Sequence, residues 1–173
     1  MGYWPVPKSY SKKIPKTGKR YGFKGKNCFI NKNHKKVDIW HSGIDILCPA
    51  GSKVIAVEDC RVIRIWKFTG YSDSPEYRKT WAVTVRNKSG NIIVYGELRK
   101  LRLRLRQEMN AGQLIGFSAP VGFRRNVPDI TKRCMLHFEL YKRGTQKTVD
   151  WWYKDRKKPQ TLLDPTEYLK NCE

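Results

Sequence analysis

Short apolar runs, separated by glycine, proline and turn residues, most constrain what this chain can fold into. From residue 38 onward the runs occupy positions 44–47, 53–57, 61–66, 81–85, 92–95, 114–117 and 135–141. Runs of this length, some with partial period-two alternation, are typical of β-strands. Several short strands with glycine and proline between them pack as sheets, face to face. The sequence therefore predicts an all-β fold made of antiparallel sheets.

Two local signals add detail to this prediction. The segment N-K-S-G over residues 87–90 is a turn signal between two strand-like runs, so it predicts a β-hairpin. Near the C-terminus, Asp164 suits a helix cap and Pro165 suits a first helical position, which predicts a short helix within residues 163–169.

The distribution of charge divides the chain into three parts. With 173 residues the chain has room for one ordinary domain. Residues 1–37 hold eleven basic residues and no acidic one, with prolines and glycines between them, which predicts a basic N-terminal arm. We expect the β domain over residues 38–145, and an aromatic insertion with a C-terminal helical cap over residues 146–173.

Charge also limits the class of partner. The chain has 36 Lys and Arg against 15 Asp and Glu, a net charge of +21, which attracts nucleic acid, anionic lipid or an acidic cell-wall polymer. Leucine and arginine alternate over residues 101–106. An extended chain would put Leu101, Leu103 and Leu105 on one face and Arg102, Arg104 and Arg106 on the other. Such a segment is either a charged edge strand or a strip that binds polyanions.

Several sequence features are missing from this chain. No run approaches the roughly 18 apolar residues of a membrane span. Residues 1–7 hold no apolar segment of the kind found in secretory signals. Five cysteines form no CxxC pair, which disfavours a structural thiolate zinc site. Two disulfides with one thiol would suit an exported protein, and five thiols a cytosolic one.

The three histidines are the candidates for chemistry. His34 lies among lysines and asparagines, where a surface position is expected. His41 and Asp45 are four residues apart at the start of a strand-like run, and His137 shares a strand face with Glu139. Two imidazoles and one carboxylate form a catalytic type of zinc set, which leaves one coordination position open. On spacing alone, ordinary strand histidines remain the alternative.

Five segments carry motifs that occur together in a known family. They read H-S-G-I-D over 41–45, A-G-S-K-V-I-A over 50–56, Y-G-E-L over 95–98, N-A-G-Q-L-I-G over 110–116 and L-H-F-E over 136–139. In type and order these motifs resemble those of the lysostaphin/LytM-type zinc endopeptidases, a family of peptidoglycan peptidases. Cys48, close after the first motif, also resembles the leukocyte cell-derived chemotaxin branch of that family.

The resemblance implies an antiparallel β groove with zinc at its floor, held by His41, Asp45 and His137. Zinc would activate water for attack on a peptide of peptidoglycan. Glu139 alternates with His137 and is a candidate partner of that ligand. The resemblance also implies peptidoglycan or another anionic cell-wall polymer as the partner, and an extracellular, periplasmic or virion-associated location.

Two departures from the family leave the activity open. The family has two further histidines beside the metal, and here Glu97 and Met135 stand in their places. Methionine transfers no proton, whereas Glu97 is a candidate general base. Either Glu97 replaces the histidine pair in a working endopeptidase, or catalysis is impaired and the zinc-holding groove binds cell-wall or cell-surface ligands. A further alternative is binding of nucleic acid or another polyanion through the basic arm.

Overall fold

The computed structural model describes residues 2–14, 21–22, 24–30, 36–69, 79–99, 101–120, 134–148 and 152–173. The predicted all-β fold is confirmed, because the described residues form antiparallel strands and one short C-terminal helix. The elements are β1 (Lys24–Ile30), β2 (Lys36–Trp40), β3 (Ile44–Leu47), β4 (Lys53–Ile55), β5 (Cys60–Lys67), β6 (Trp81–Asn87), β7 (Ile92–Leu98), β8 (Glu108–Met109), β9 (Leu114–Phe117), β10 (Met135–Tyr141), β11 (Trp152–Tyr153), β12 (Leu162–Leu163) and α1 (Thr166–Lys170).

A seven-stranded sheet forms the centre of the molecule. Its strand order is β12-β10-β7-β6-β5-β8, and β3 pairs with β10 beside that path. Two smaller sheets have the orders β1-β2-β11 and β4-β9. The predicted hairpin joins β6 to β7 through a turn at Gly90, whose φ of 87° is a conformation that glycine adopts without strain.

Period-two alternation gives the seven-stranded sheet two different faces. One face packs into the main core through Val62, Val83, Tyr95 and Phe138, all of them buried. The opposite face carries the smaller cluster of Ala82, Ile92, Val94, Tyr141 and Leu162. His137 and Glu139 alternate with the core residues of β10, so they lie on this second face, which we call the site face.

The first residues of the predicted basic arm pack against the domain. Trp4 is 2% exposed and its indole N–H donates to the Ser9 hydroxyl at 2.9 Å. The backbone N–H of Tyr3 donates to the Val57 carbonyl, and that of Ile55 donates to the Pro5 carbonyl. The bounds of the three predicted parts remain a prediction.

The leucine–arginine segment follows its predicted alternation only in part. Residues 101–106 lie outside the strands, with Leu101 and Leu103 packed on the core and the arginines at 102, 104 and 106 exposed. Leu105 is 60% exposed, contrary to the expectation, because the chain turns at this point. Arg106 has a φ of 67° and its N–H donates to the Val62 carbonyl at 2.8 Å.

The terminal helix α1 begins slightly later than the sequence suggests. The Asp164 carboxylate accepts a hydrogen bond from the Thr166 N–H at 2.9 Å, and Leu169 reaches the core. Within the described ranges, no helix has the length and apolar content needed to cross a membrane.

Trp4 provides a test of the packed N-terminal segment. We expect Trp4→Ala to lower the free energy of unfolding by about 3 kcal/mol, because a buried indole and its hydrogen bond are lost. Tyr10→Ala is the control, since Tyr10 is 62% exposed, and it should change stability by less than about 0.5 kcal/mol. Urea unfolding measures both values. Equal effects of the two substitutions would contradict the packing described for residues 2–14.

Candidate metal centre

Pairing of β3 with β10 brings together residues that are far apart in sequence. The register places His137 directly opposite Asp45, and His41 lies three residues before β3 begins. Gly43 makes this approach possible: a Cβ there would lie 2.4 Å from the Phe138 carbonyl oxygen and 2.9 Å from His137 Nε2. The glycine of the H-S-G-I-D motif is therefore required by close packing against β10.

The three predicted ligands form a compact triangle. Asp45 Oδ1 lies 3.1 Å from His41 Nε2 and 2.9 Å from His137 Nδ1, and the two nitrogens are 3.3 Å apart. Ligand atoms about 2.0–2.1 Å from a tetrahedral zinc ion are roughly 3.3 Å from one another. The donor set and its spacing thus fit zinc, and they leave one tetrahedral position for another group.

Electrostatics within the triangle favour a charged pair in the absence of metal. Burial raises the pKa of Asp45, but the charge of His41 and hydrogen bonds from both histidines outweigh burial and hold the pKa well below its ordinary value. For His137, burial lowers the pKa, whereas hydrogen bonds to Asp45 and Glu139 raise it to about 10 overall. A metal ion at this site competes with the proton of His137.

Glu139 holds the ring of His137 from the opposite side. His137 Nε2 lies 3.1 Å from Glu139 Oε1, and the carboxylate also accepts hydrogen bonds from Ser42 Oγ at 2.6 Å and the Tyr141 hydroxyl at 2.8 Å. Glu139 is buried. This network engages Nε2 and leaves Nδ1 directed toward Asp45 and His41. The hydroxyl groups of Ser42 and Tyr141 were not predicted, although alternation places Tyr141 and Glu139 on one face.

Glu97 lies close to this centre without belonging to the ligand triangle. It follows Gly96, which pairs with His137 in the register of β7 and β10. Its Oε2 accepts hydrogen bonds from the hydroxyls of Thr80 at 2.7 Å and Thr69 at 3.0 Å. Its φ of 61° is in the left-handed region, which costs a non-glycine residue about 1 kcal/mol or more.

The surroundings of Glu97 raise its pKa to about 7. Burial is the main cause, and it is opposed by the Thr80 hydroxyl and by the charge of His137. Glu97 is 4% exposed. A carboxyl group that changes protonation near neutral pH, in the same low-dielectric region as His137, has the properties of a general acid or base.

The remaining predicted residues have different outcomes. Met135 begins β10, half-buried and opposite Leu47, on the face that carries His137. His34 lies outside the described residues. Sequence reasoning missed Phe68, whose ring centroid is 5.4 Å from that of His137. The one hint in the sequence was Gly96, because a glycine within a strand can mark a close contact with another group. A Cβ at this position would lie 2.8 Å from the Phe68 ring.

Comparison with known proteins gives a family for this chain and relatives that share its fold. The family model described as Peptidase family M23 matches residues 40–150. No curated protein is similar enough to the sequence to count as a match.

Among solved structures, the catalytic domain of the antimicrobial peptidase lysostaphin from Staphylococcus simulans is 20% identical, with a TM-score of 0.51 over 76% of this chain and 80% of that one. LytU is 20% identical, with a TM-score of 0.56 over 91% of this chain and 84% of that one. A chain of the SpoIIIAH–SpoIIQ complex is 16% identical, with a TM-score of 0.57 over 97% and 99% of the two chains. At these identities the likeness shows the fold alone. Another solved structure of lysostaphin has a longer chain, and the match with this chain spans 44% of its length.

Metal binding can be tested by its effect on stability. We expect zinc at 100 times its dissociation constant to raise the free energy of unfolding by about 2.7 kcal/mol. Asp45→Asn should abolish the effect, because it removes a charged ligand. Asp59→Asn, at a half-buried carboxylate that pairs with Lys88 and accepts the Ala111 N–H, should retain it. The measurement is urea unfolding with and without zinc, together with metal content after dialysis. Stoichiometric zinc in Asp45→Asn would contradict the ligand set.

Glu97 gives a second prediction for the zinc-free protein. Between pH 4.5 and 7 the folded state keeps a proton on Glu97 that the unfolded state releases, so stability falls as pH rises through this range. The loss attributable to Glu97 is on the order of 3 kcal/mol. Glu97→Gln should remove it, because the amide carries no charge and its oxygen can accept the same hydroxyl bonds.

The measurement is the free energy of unfolding at pH 4.5 and pH 8, with chelator present. Glu108→Gln, at an exposed carboxylate, should leave the pH dependence of the wild type unchanged. A pH dependence in Glu97→Gln equal to that of the wild type would show that Glu97 is not a buried carboxyl of raised pKa.

Proposed function

The chain belongs to peptidase family M23, and from this premise we propose that it is a zinc-dependent endopeptidase that cuts peptides of peptidoglycan. The observation that carries the proposal is the triangle of His41, Asp45 and His137, which has the donor types and spacing of a catalytic zinc site. The fold shared with the lysostaphin catalytic domain supports it. Peptidoglycan is the substrate class expected from the motifs over residues 41–141.

Each residue of the centre has a distinct task in this proposal. His41 would hold zinc through Nε2, Asp45 through Oδ1 and His137 through Nδ1. When bound, zinc would polarise the scissile carbonyl and lower the pKa of water at the open position. Glu139 keeps the proton of His137 on Nε2, so that Nδ1 presents its lone pair to the site.

Glu97 is the proposed general base. The hydroxyls of Thr80 and Thr69 hold its Oε2, which leaves Oε1 to take a proton from the attacking water. The same carboxyl would then return that proton to the leaving amine. Burial of Glu97 in a strained conformation lowers stability, and features of that kind cluster at functional sites.

One observation favours a second candidate function. Met135 stands where the family has a histidine, and its thioether neither transfers a proton nor carries a positive charge. Loss of a group that stabilises charge in the transition state costs on the order of a hundredfold in rate. The second candidate is therefore a zinc-holding groove that binds cell-wall or cell-surface ligands with little catalysis.

Release of new amino groups from purified peptidoglycan separates the two functions. We expect release that requires zinc, stops with chelator and is absent in His137→Ala. Glu97→Gln should lower the rate by about two to four orders of magnitude while keeping its zinc, because only proton transfer is lost. Asp59→Asn is the control of unchanged activity.

The outcomes discriminate clearly. Full activity of Glu97→Gln would show that another group is the base. No release by wild-type protein that holds stoichiometric zinc would favour the binding groove. Release that survives chelation would overturn the metallopeptidase assignment itself.

A further inference from the structure

Two aromatic side chains and one arginine form a continuous row that starts at the metal centre. The ring of Phe68 lies 5.4 Å from that of His137, the ring of Trp66 lies 5.3 Å from that of Phe68, and Arg64 Cζ lies 4.6 Å from the centre of the Trp66 ring. We call Phe68, Trp66 and Arg64 the β5 row.

Strand register shows that the β5 row lies on the site face. Arg64 is opposite Thr84 and Trp66 is opposite Ala82 in the pairing of β5 with β6. Ala82 belongs to the cluster on the site face, and Trp66 and Phe68 pack against that cluster. Ala82 has only a methyl group and Gly96 has no side chain. The Phe68 ring can therefore extend across the sheet to His137.

The guanidinium group of Arg64 is held in place but lacks an acidic partner among the described residues. Its planar group lies over Trp66, and the indole N–H of Trp66 donates to the Thr84 hydroxyl at 3.1 Å, which fixes the ring. A cation–π contact with a ring uses no N–H acceptor, so the N–H groups of the guanidinium are left for other acceptors. Arg61 on the same strand differs, because its Nε lies 3.2 Å from a carboxylate oxygen of Glu108.

The length of the row sets the scale of a ligand. The three steps place Arg64 Cζ no more than about 15 Å from the His137 ring. An extended peptide advances about 3.3 Å per residue, so the row spans at most about four residues. Rings near the metal would contact apolar atoms of a peptide, and the arginine would meet a carboxylate at the far end.

We propose that the β5 row is a substrate subsite, which selects peptides that carry a carboxylate within about four residues of the bond at the metal centre. Phe68 and Trp66 form its apolar part, and Arg64 recognises the carboxylate. This inference rests on the proposed function for its orientation relative to the scissile bond. It deepens that function, because it names an acidic peptide rather than a neutral one as the preferred substrate.

The test uses peptides in which one glutamate is the only charge. Fluorescently labelled eight-residue Gly/Ala peptides with blocked ends carry a single Glu, moved one residue at a time, and each has a counterpart with Gln. Binding to zinc-loaded protein is measured by fluorescence anisotropy at 150 mM NaCl, where attraction between distant exposed charges is largely screened.

We expect the wild type to bind one Glu peptide about three to ten times more tightly than its Gln counterpart, as for a partly exposed charge-assisted hydrogen bond. Arg64→Gln should remove this preference. Arg61→Gln removes the same charge from the same strand and should retain it. Trp66→Ala should weaken the preference, because Arg64 then loses the ring that orients it.

Three results would overturn the subsite: no preference in the wild type, an unchanged preference in Arg64→Gln, or an equal loss in Arg61→Gln, which would indicate the general field of the protein. Failure of the proposed function is distinguishable. A carboxylate preference without hydrolysis would support the subsite and contradict the proposed peptidase function. Hydrolysis without the preference would support the peptidase function and contradict the subsite.

Discussion

The register between β3 and β10 is the constraint on which the rest of the structure depends. It places Asp45 opposite His137 across 92 residues of sequence, and a shift by one residue would send His137 to the other face. Gly43 protects this register, since a side chain there would collide with the backbone of β10. The candidate metal centre is thus a property of the sheet, and the interactions that stabilise the sheet also preserve the geometry of the three side chains.

The same sheet face carries costs that packing elsewhere offsets. Glu97 has a left-handed backbone and a carboxyl that burial disfavours in its charged form, and Glu139 buries a second carboxyl two residues after His137. Hydrogen bonds from hydroxyl groups reduce the cost of burying both carboxyl groups. Thr80 and Thr69 donate to Glu97, and Ser42 and Tyr141 donate to Glu139. The buried core on the other face supplies stability that the site face lacks.

Sequence reasoning found what depends on local pattern. Apolar runs predicted the strands, and alternation in the run over 135–141 put His137 and Glu139 on one face. It could not find contacts set by long-range pairing: Phe68 reaches His137 across β6 and β7, and Thr80, the residue before β6, reaches Glu97 in β7. It also failed at Leu105, because a turn stabilised by a hydrogen bond from Arg106 overrides alternation.

The candidate metal centre is rich in carboxyl groups, although the chain as a whole is strongly positive. The protein carries +21, yet the candidate metal centre gathers the half-buried Asp45 with the buried Glu139 and Glu97. In a low dielectric such carboxyl groups attract a divalent cation more strongly than exposed ones do. Arg64 stands at the far end of the β5 row, where its exposure lets it meet an anion without neutralising the ligands. In the proposed function, the site face separates a place for a cation from a place for an anion, and this separation would give an extended peptide its direction.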